Sequence, residues 1–136
     1  MPKKTIKKKS NVGIRVKNKF ANATRGLITA LREESTLIVY FIVTAIAIGL
    51  GIWLQLNYVE WAIIILTIGT VMCFEFVNTA IENFVDLLSF EYNERSKKIK
   101  DIAAAASILS AFASLVVGLL IYIPKLIEIL SRIIGN

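Results

Sequence analysis

The stretch WAIIILTIGTVMCFEFVNTAIENF, residues 61–84, decides the fold, because it has the length and hydropathy of a membrane-spanning helix and yet contains acids. Its apolar run is interrupted by Glu75, Asn78 and Glu82. A charged side chain in the bilayer core costs roughly 2.5–3.5 kcal/mol on insertion scales, so an acid there needs a reason. On a helix these three residues and Asp86 fall within roughly 80° of arc. The stretch therefore predicts a span whose polar stripe runs toward the membrane surface.

Two further stretches, one on each side of it, are also apolar enough to span a bilayer. Residues 37–56 and 102–123 contain no charged residue, and about 20 apolar residues suffice to cross the hydrocarbon layer. The chain of 136 residues is 56% hydrophobic, with a mean hydropathy of +0.66, which is too apolar for an ordinary soluble domain. We therefore expect an all-α integral membrane protein with transmembrane helices at about 36–56, 61–85 and 102–123.

The net charge of +6 is unevenly distributed. Ten of the 16 Lys and Arg residues precede Glu33, four lie at 95–100, and the link at 57–60 has none. By the positive-inside rule, the N-terminus and the 86–101 loop are cytoplasmic and the C-terminus is outside. Glu82 then lies near the cytoplasmic face, with Glu75 about 10 Å deeper at 1.5 Å per residue.

The first 33 residues are predicted to lie on the membrane rather than in it. Residues 1–11 are rich in Lys and lack apolar periodicity, which predicts a basic, disordered tail that contacts anionic headgroups. Residues 12–33 have the pattern of an amphipathic interfacial helix, with polar residues opposite an apolar stripe of Val16, Phe20, Ala23, Leu27 and Leu31. If this helix keeps its register, Glu34 projects from the apolar side. If the helix has already turned, Glu34 is solvated.

Two features near the C-terminus are interpreted as structural. Small residues recur at every fourth position of the third span, at Ala106, Ser110, Ser114 and Gly118, and such a row favours close helix packing in lipid. Pro124 follows this span. Residues 124–136 are expected to be a C-terminal tail in which 125–134 form a short interfacial helix.

The residue types narrow the possible chemistry. The chain has no His and no glycine-rich phosphate loop. Carboxylates at a cytoplasmic boundary suit hydrated Mg²⁺, so Glu82, with Glu34 if it reaches, is a candidate metal ligand. A deeper, partly desolvated acid such as Glu75 suits the acceptance of a proton from an alcohol, and Lys100 suits phosphate oxygens. The set predicts phosphoryl transfer to an alcohol at the lipid–water interface.

Two interpretations without catalysis stay open at this point. Polar residues in a span often form hydrogen bonds between helices, so Glu75 and Asn78 also fit a non-catalytic membrane oligomer. An intramembrane acid also fits an ion relay, which would make the chain a small ion-conducting protein.

A longer pattern resembles the prokaryotic diacylglycerol kinase family, which includes the undecaprenol kinases of Gram-positive bacteria. The pattern E-x-x-N-[ST]-A-I-E, V-D, E-Y, K-D occurs at residues 75–82, 85–86, 91–92 and 100–101, and the resemblance covers about residues 12–123. It implies one membrane kinase domain over 12–136 that depends on ATP and Mg²⁺. It also implies a homotrimer in the bacterial cell membrane, with active sites shared between neighbouring subunits.

The resemblance further implies roles for individual residues. Glu75 matches the catalytic base, Asn78 matches the residue that orients the reacting groups, and Asp86 matches a position taken as structural. The metal ligands are implied at Glu34 and Glu82. The nucleotide contacts are implied at Arg15, Asn22, Glu91, Tyr92, Asn93, Lys100 and Asp101.

Two positions depart from the family pattern, and one segment indicates the acceptor. The common E-x-x-F-R motif reads Glu34-Ser-Thr-Leu37-Ile38 here, and Asn22 replaces an aromatic residue. Residues 78–82 followed by 85–87 are closer to the undecaprenol branch, so undecaprenol, giving undecaprenyl phosphate, is the expected acceptor. Diacylglycerol, giving phosphatidic acid, is the alternative. Physical reasoning does not separate these lipids, because each presents one hydroxyl on a long apolar body.

Overall fold

The computed structural model describes residues 12–88 and 93–135 and contains four helices there. They are α1 (Val12–Glu33), α2 (Ser35–Trp53), α3 (Tyr58–Leu88) and α4 (Glu94–Ile134). The last three are long and apolar enough to cross a membrane, which confirms the prediction of an all-α fold with three such spans. The chain divides into two compact units, one ending at Glu33 and the other beginning at Glu34. The single kinase domain over 12–136 stays a prediction.

The N-terminal unit contains α1, which has no buried residue. Its apolar side chains are exposed, with Phe20 at 72% and Val16 at 48%, so its interfacial position stays a prediction. The helical register does not continue into Glu34, whose backbone is extended at φ −115° and ψ 105°. Of the two alternatives for Glu34, this backbone break favours the one in which the helix has already turned.

A tight turn ends α2 at Trp53, three residues earlier than the hydropathy indicates. Gln55 adopts a left-handed conformation with φ 54°. Its backbone N–H donates to the Ile52 carbonyl (3.2 Å), and the N–H of Leu56 donates to the Gly51 carbonyl (3.1 Å). This pair of bonds forms a Schellman motif, which satisfies carbonyls at the end of the helix.

A reciprocal cap begins α3 immediately afterwards. The Asn57 Oδ1 atom accepts from the backbone N–H groups of Val59 (2.9 Å) and Glu60 (3.0 Å). Glu60 Oε2 in turn accepts from the backbone N–H of Asn57 (2.7 Å). Because both partners satisfy N–H groups that the first helical turn leaves open, the start of this helix is fixed by its own sequence.

The helices α3 and α4 pack mainly against each other, and α2 makes a smaller contact with α3. Tyr122 of α4 also donates its hydroxyl to the Ala47 carbonyl of α2 (2.9 Å). The buried apolar residues are Leu37, Leu54, Leu56, Ile64, Val71, Val85 and Ala103. Most other apolar side chains point outward, as expected for helices that face lipid or further copies of the chain.

Residues 125–134 are helical, as expected for the C-terminal segment, and they continue α4. It runs through Pro124 without a break and ends at Ile134, a total of 41 residues. Just after the proline, Lys125 Nζ lies 3.4 Å from Glu60 Oε2. This ion pair joins α4 to the capped start of α3, so the two helices are tied at the end opposite to the loop between them.

The row of small residues lines a groove between α3 and α4. Ala106, Ser110 and Ser114 border it on α4, and the groove has a volume of about 530 Å³. The hydroxyls of Ser110 and Ser114 donate to carbonyls of their own helix, each at 2.7 Å. The row is thus an open surface within this chain, and its role in helix packing stays a prediction.

Candidate active site

The acid in the middle of the membrane span is buried between two helices. Glu75 of α3 is 6% exposed, and Ser107 of α4 is 4% exposed. The Ser107 hydroxyl donates a hydrogen bond to Glu75 Oε2. Glu75 therefore faces α4 rather than the surrounding lipid, as an intramembrane acid with a function should.

Ser107 is a site residue that the sequence analysis missed. Serines are common in membrane helices, and a single one carries little information. The signal that would have found it is spacing, because Ser107 follows Lys100 by seven residues, and on a helix this places both within about 20° of the same face. Lys100 and Ser107 therefore approach the polar stripe of α3 from one side of α4.

One turn further toward the loop, Asn78 and Glu82 contact each other along α3. Asn78 Nδ2 donates to Glu82 Oε1 at 3.0 Å. This leaves Asn78 Oδ1 buried and, among residues 12–88 and 93–135, without a hydrogen-bond partner. A buried acceptor without a partner costs free energy, about 1–3 kcal/mol, so this oxygen is suited to receive a donor or a cation.

At the loop end of the stripe, Lys100 reaches across from α4 to Asp86. Its ammonium donates to Asp86 Oδ1 at 2.9 Å and to Oδ2 at 3.1 Å. The hydrogen bond with Asp86 raises the pKa of Lys100 above its ordinary 10.5, and the negative charges of Asp86 and Glu82 add to this, against a smaller lowering by desolvation. Lys100 is therefore cationic at neutral pH and lies within the electrostatic reach of Glu82.

Asn93 and Asp101, two of the other predicted nucleotide contacts, have different surroundings at the start of α4. Asn93 caps α4, because its Oδ1 accepts from the backbone N–H of Arg95 at 2.9 Å. Asp101 lines a shallow depression of about 310 Å³ together with Glu94, Lys97, Lys98, Ile102 and Ala105. Glu91 and Tyr92 lie outside the described residues.

Three predicted site residues, Arg15, Asn22 and Glu34, come from the N-terminal part of the sequence. Arg15 and Asn22 belong to α1, a unit of its own. Glu34 lies directly before α2, is partly buried, and makes no side-chain capping bond. Ile38, at the position where the family pattern has arginine, is 49% exposed, so its apolar side chain lies on the outside of this chain.

The oxygen donors at Asn78 and Glu82 fit a magnesium ion. Among residues 12–88 and 93–135, no three acidic, His or Cys side chains gather into a metal cluster. Mg²⁺ needs only one or two carboxylates, however, since water and substrate phosphates fill the rest of its octahedral shell. The Glu82 carboxylate accepts from the amide of Asn78, whose Oδ1 has no partner among the described residues, and both groups supply oxygens of the type that this ion prefers.

Comparison with known proteins assigns this arrangement to a family. The family model described as "Prokaryotic diacylglycerol kinase" matches residues 21–122. This range includes the whole polar stripe of α3 together with Lys100 and Ser107 of α4. It ends before Pro124, so the C-terminal part of α4 lies beyond the match.

Individual relatives agree with the family match. The chain is 36% identical to the undecaprenol kinase of Bacillus subtilis (strain 168) over 107 residues, which are 79% of this chain and 87% of that protein. It is 38% identical to the diacylglycerol kinase of Synechocystis sp. over 78 residues, or 57% of this chain and 45% of that protein. It is 27% identical to the diacylglycerol kinase of Escherichia coli (strain K12) over 92 residues, covering 68% and 75% of the two chains.

These matches cover most of the chain, and their names all denote kinases that act on lipids. A kinase of this family uses ATP as the phosphate donor. Three helices of spanning length agree with a place in a bacterial membrane. The chain therefore belongs to the prokaryotic diacylglycerol kinase family and is a membrane-embedded lipid kinase.

Proposed function

We propose that this enzyme transfers the γ-phosphate of ATP to the hydroxyl of undecaprenol and so makes undecaprenyl phosphate. The observation that carries the proposed site is the buried Glu75, held by Ser107 one turn from the Asn78–Glu82 pair. The choice of acceptor is supported by the name of the Bacillus subtilis relative. Diacylglycerol is the second candidate, favoured by the name of the Escherichia coli relative.

In the proposed reaction, Glu75 acts as the general base. Its carboxylate accepts the proton of the lipid hydroxyl, and the oxygen of that hydroxyl forms a bond to the γ-phosphorus. The bond between this phosphorus and the bridging oxygen of ADP breaks, and ADP leaves. Little covalent chemistry falls to the protein in such a transfer, so most of the catalysis is positioning and charge stabilisation.

The remaining roles concern the phosphates and the metal. We assign Glu82 and Glu34 to hold Mg²⁺, with Asn78 to orient the reacting groups beside it. Bound Mg²⁺ supplies positive charge against the phosphate oxygens. Lys100 adds a second positive charge there. Arg15, Asn22, Glu91, Tyr92, Asn93 and Asp101 are proposed to contact the rest of the nucleotide.

The proposed assembly is a homotrimer with shared sites, with the N-terminus and the active site in the cytoplasm and the C-terminus outside. The distribution of Lys and Arg supports this orientation. The exposed apolar faces of α2, α3 and α4 leave room for neighbouring copies.

A single assay tests the function. The purified enzyme in detergent receives labelled ATP and Mg²⁺, with undecaprenol and diacylglycerol offered in parallel. Wild type should phosphorylate undecaprenol, and Glu75→Gln should lower the rate by roughly 10²–10⁴-fold, the usual contribution of a general base. The control is Glu128→Gln, which makes the same change at an exposed residue near the C-terminal end of α4 and should leave the rate unchanged.

Four results would contradict parts of the proposal. Phosphorylation of diacylglycerol but not undecaprenol removes the acceptor assignment. Full activity in Glu75→Gln removes the base. If the oligomer persists but consumes no ATP with either lipid, the non-catalytic interpretation is favoured. Current through a planar bilayer would favour ion conduction.

A further inference from the structure

Ser107 differs from the other serines of the same helix in where its hydroxyl points. The hydroxyls of Ser110 and Ser114 donate to carbonyls three residues earlier, at 2.7 Å each, which is the usual local bond of serine in a helix. The hydroxyl of Ser107 instead crosses from α4 to α3 and donates to Glu75 Oε2. Its hydrogen bond thus serves another helix rather than its own.

The partners of this bond are both withdrawn from solvent. Glu75 is 6% exposed and Ser107 is 4% exposed, and the bond joins residues 32 positions apart in the sequence. A buried carboxylate needs hydrogen-bond donors, because water cannot supply them. A glutamate also has three rotatable side-chain bonds, so a fixed donor on one oxygen decides where the other oxygen points.

We propose that Ser107 is a positioning residue for phosphoryl transfer. It holds Oε2 of Glu75 so that Oε1 is presented to the hydroxyl of the lipid acceptor. Ser107 itself touches neither lipid nor nucleotide and acts through Glu75. This inference rests on the proposed role of Glu75 as the base, and it adds a residue from α4 to a stripe that otherwise lies on α3.

The test uses substitutions that differ in the hydroxyl alone. Threonine and valine have nearly the same shape, so Ser107→Thr keeps the donor and Ser107→Val removes it, while Ser107→Ala removes it without added bulk. We expect Ala and Val to lower kcat by roughly 10–100-fold, the usual cost of losing a partner that orients a functional group. Thr should recover most of the loss. The KM for ATP should stay within a factor of about two in all three variants, because no nucleotide contact changes.

Matched controls come from the same helix. Ser110→Ala and Ser114→Ala remove hydroxyls that bond only to their own helix, and both should have the kcat of wild type. The rate is expressed per nucleotide-binding site, so that a smaller folded fraction does not count as slower chemistry. The solvent isotope effect on kcat gives a second readout, and it should rise in Ala and Val if proton transfer to a misplaced base becomes limiting.

Several outcomes would overturn the proposal. One is that Ser107→Ala keeps the wild-type kcat per site. Another is that the Thr and Val variants lose kcat equally. Loss of nucleotide-binding sites in all three variants would make Ser107 structural. Failure of this inference is distinct from failure of the base assignment, because an inactive Glu75→Gln together with a fully active Ser107→Ala removes only the role of Ser107.

Discussion

At the scale of single residues, Asp86 and Lys100 form a link between α3 and α4 near the loop that joins them. The Lys100 ammonium bonds both oxygens of Asp86, at 2.9 and 3.1 Å. Both side chains are partly exposed, so solvent screens the pair and its contribution to stability is small. Its greater effect is on geometry, because it holds a cation near Glu82. Asp86, assigned a structural role from the sequence, has a direct partner in the candidate site.

Removal of the Lys100 charge should weaken nucleotide binding. We expect Lys100→Gln to raise the KM for ATP by at least about tenfold, since a charge-assisted hydrogen bond to a phosphate oxygen is lost. The measurement is the KM for ATP at saturating lipid. Because the pKa of Lys100 is raised above 10.5, its charge and its pairing are fully present below that pH and are lost only as the pH rises through the higher folded-state value. The KM difference between wild type and variant should therefore be constant across the neutral range.

The control for this prediction is Arg132→Gln, which removes one positive charge from the opposite end of the same helix. Arg132 pairs with Glu128 at 2.6 Å on the surface, far along the chain from the polar stripe. Its variant should keep the KM of wild type. An equal rise in both variants would show that net charge, rather than a local contact, governs ATP binding.

Much of the site was accessible from sequence at this scale, and the reason is energetic. Glu75, Asn78 and Glu82 are conspicuous because polar groups in a span are expensive, and their place in the α3 stripe follows from helical spacing alone. The partner of Glu75 was not accessible in this way, because Ser107 is a small residue that lipid tolerates. The unpartnered Asn78 Oδ1 also needed atomic positions to be seen.

At the scale of secondary structure elements, hydropathy located the spanning helices, whose ends differ from the ends of the apolar runs. Leu54 and Leu56 extend the apolar run beyond α2, yet they are buried in the turn at 4% and 7% exposure, so they are apolar because they pack against other residues and not because they span. Likewise, α4 extends beyond its apolar segment, residues 102–123, at both ends. Hydropathy reports contact with lipid, whereas caps and turns decide where a helix begins and ends.

The turn between α2 and α3 depends on a close approach at Gly51. A Cβ atom on this residue would lie 2.8 Å from Trp61 Cη2 and 3.0 Å from Leu56 Cδ1. We expect Gly51→Ala to destabilise the protein by about 1–3 kcal/mol, the usual cost of overpacking. The measurement is the midpoint of denaturant-induced unfolding in detergent micelles.

Gly49 on the same helix supplies the matched control, because a Cβ there meets nothing within 4 Å. Gly49→Ala should be neutral or stabilising, by up to about 1 kcal/mol, since alanine favours the helix. Equal unfolding midpoints for the two variants would mean that Trp61 moves aside without cost and that Gly51 is not needed for the packing.

At the scale of the whole molecule, one chain cannot bury its own apolar surface. The helices α2 and α4 expose large side chains along most of their length, among them Phe41, Ile46, Phe112 and Leu120. Lipid and a neighbouring helix are almost equally apolar, so a sequence pattern does not tell which of them covers a given face. For this reason the trimer and the position of α1 stay predictions, while the family and the spanning helices are established.

Shared active sites predict complementation between inactive variants. If Glu34 and Glu75 of one site come from different subunits, mixed oligomers of Glu34→Gln and Glu75→Gln contain some sites in which both acids are intact. Co-expression of the two variants, followed by the lipid kinase assay, should then restore part of the wild-type rate. Each variant expressed alone should be inactive. The contrary result is that mixed oligomers, isolated through two different tags, are still inactive. Each site would then draw both acids from one chain.

The length of α4 links this enzyme to the thickness of its bilayer. At about 1.5 Å per residue its 41 residues extend roughly 60 Å, about twice the hydrocarbon thickness. Lys100 and Ser107 lie on this one rod, which is tied to α3 near its other end through Lys125 and Glu60. A helix responds to a thinner or thicker membrane by changing its tilt. We expect such tilting to shift the partners of Asp86 and Glu75 together, so turnover should change with the fatty-acid chain length of the host membrane.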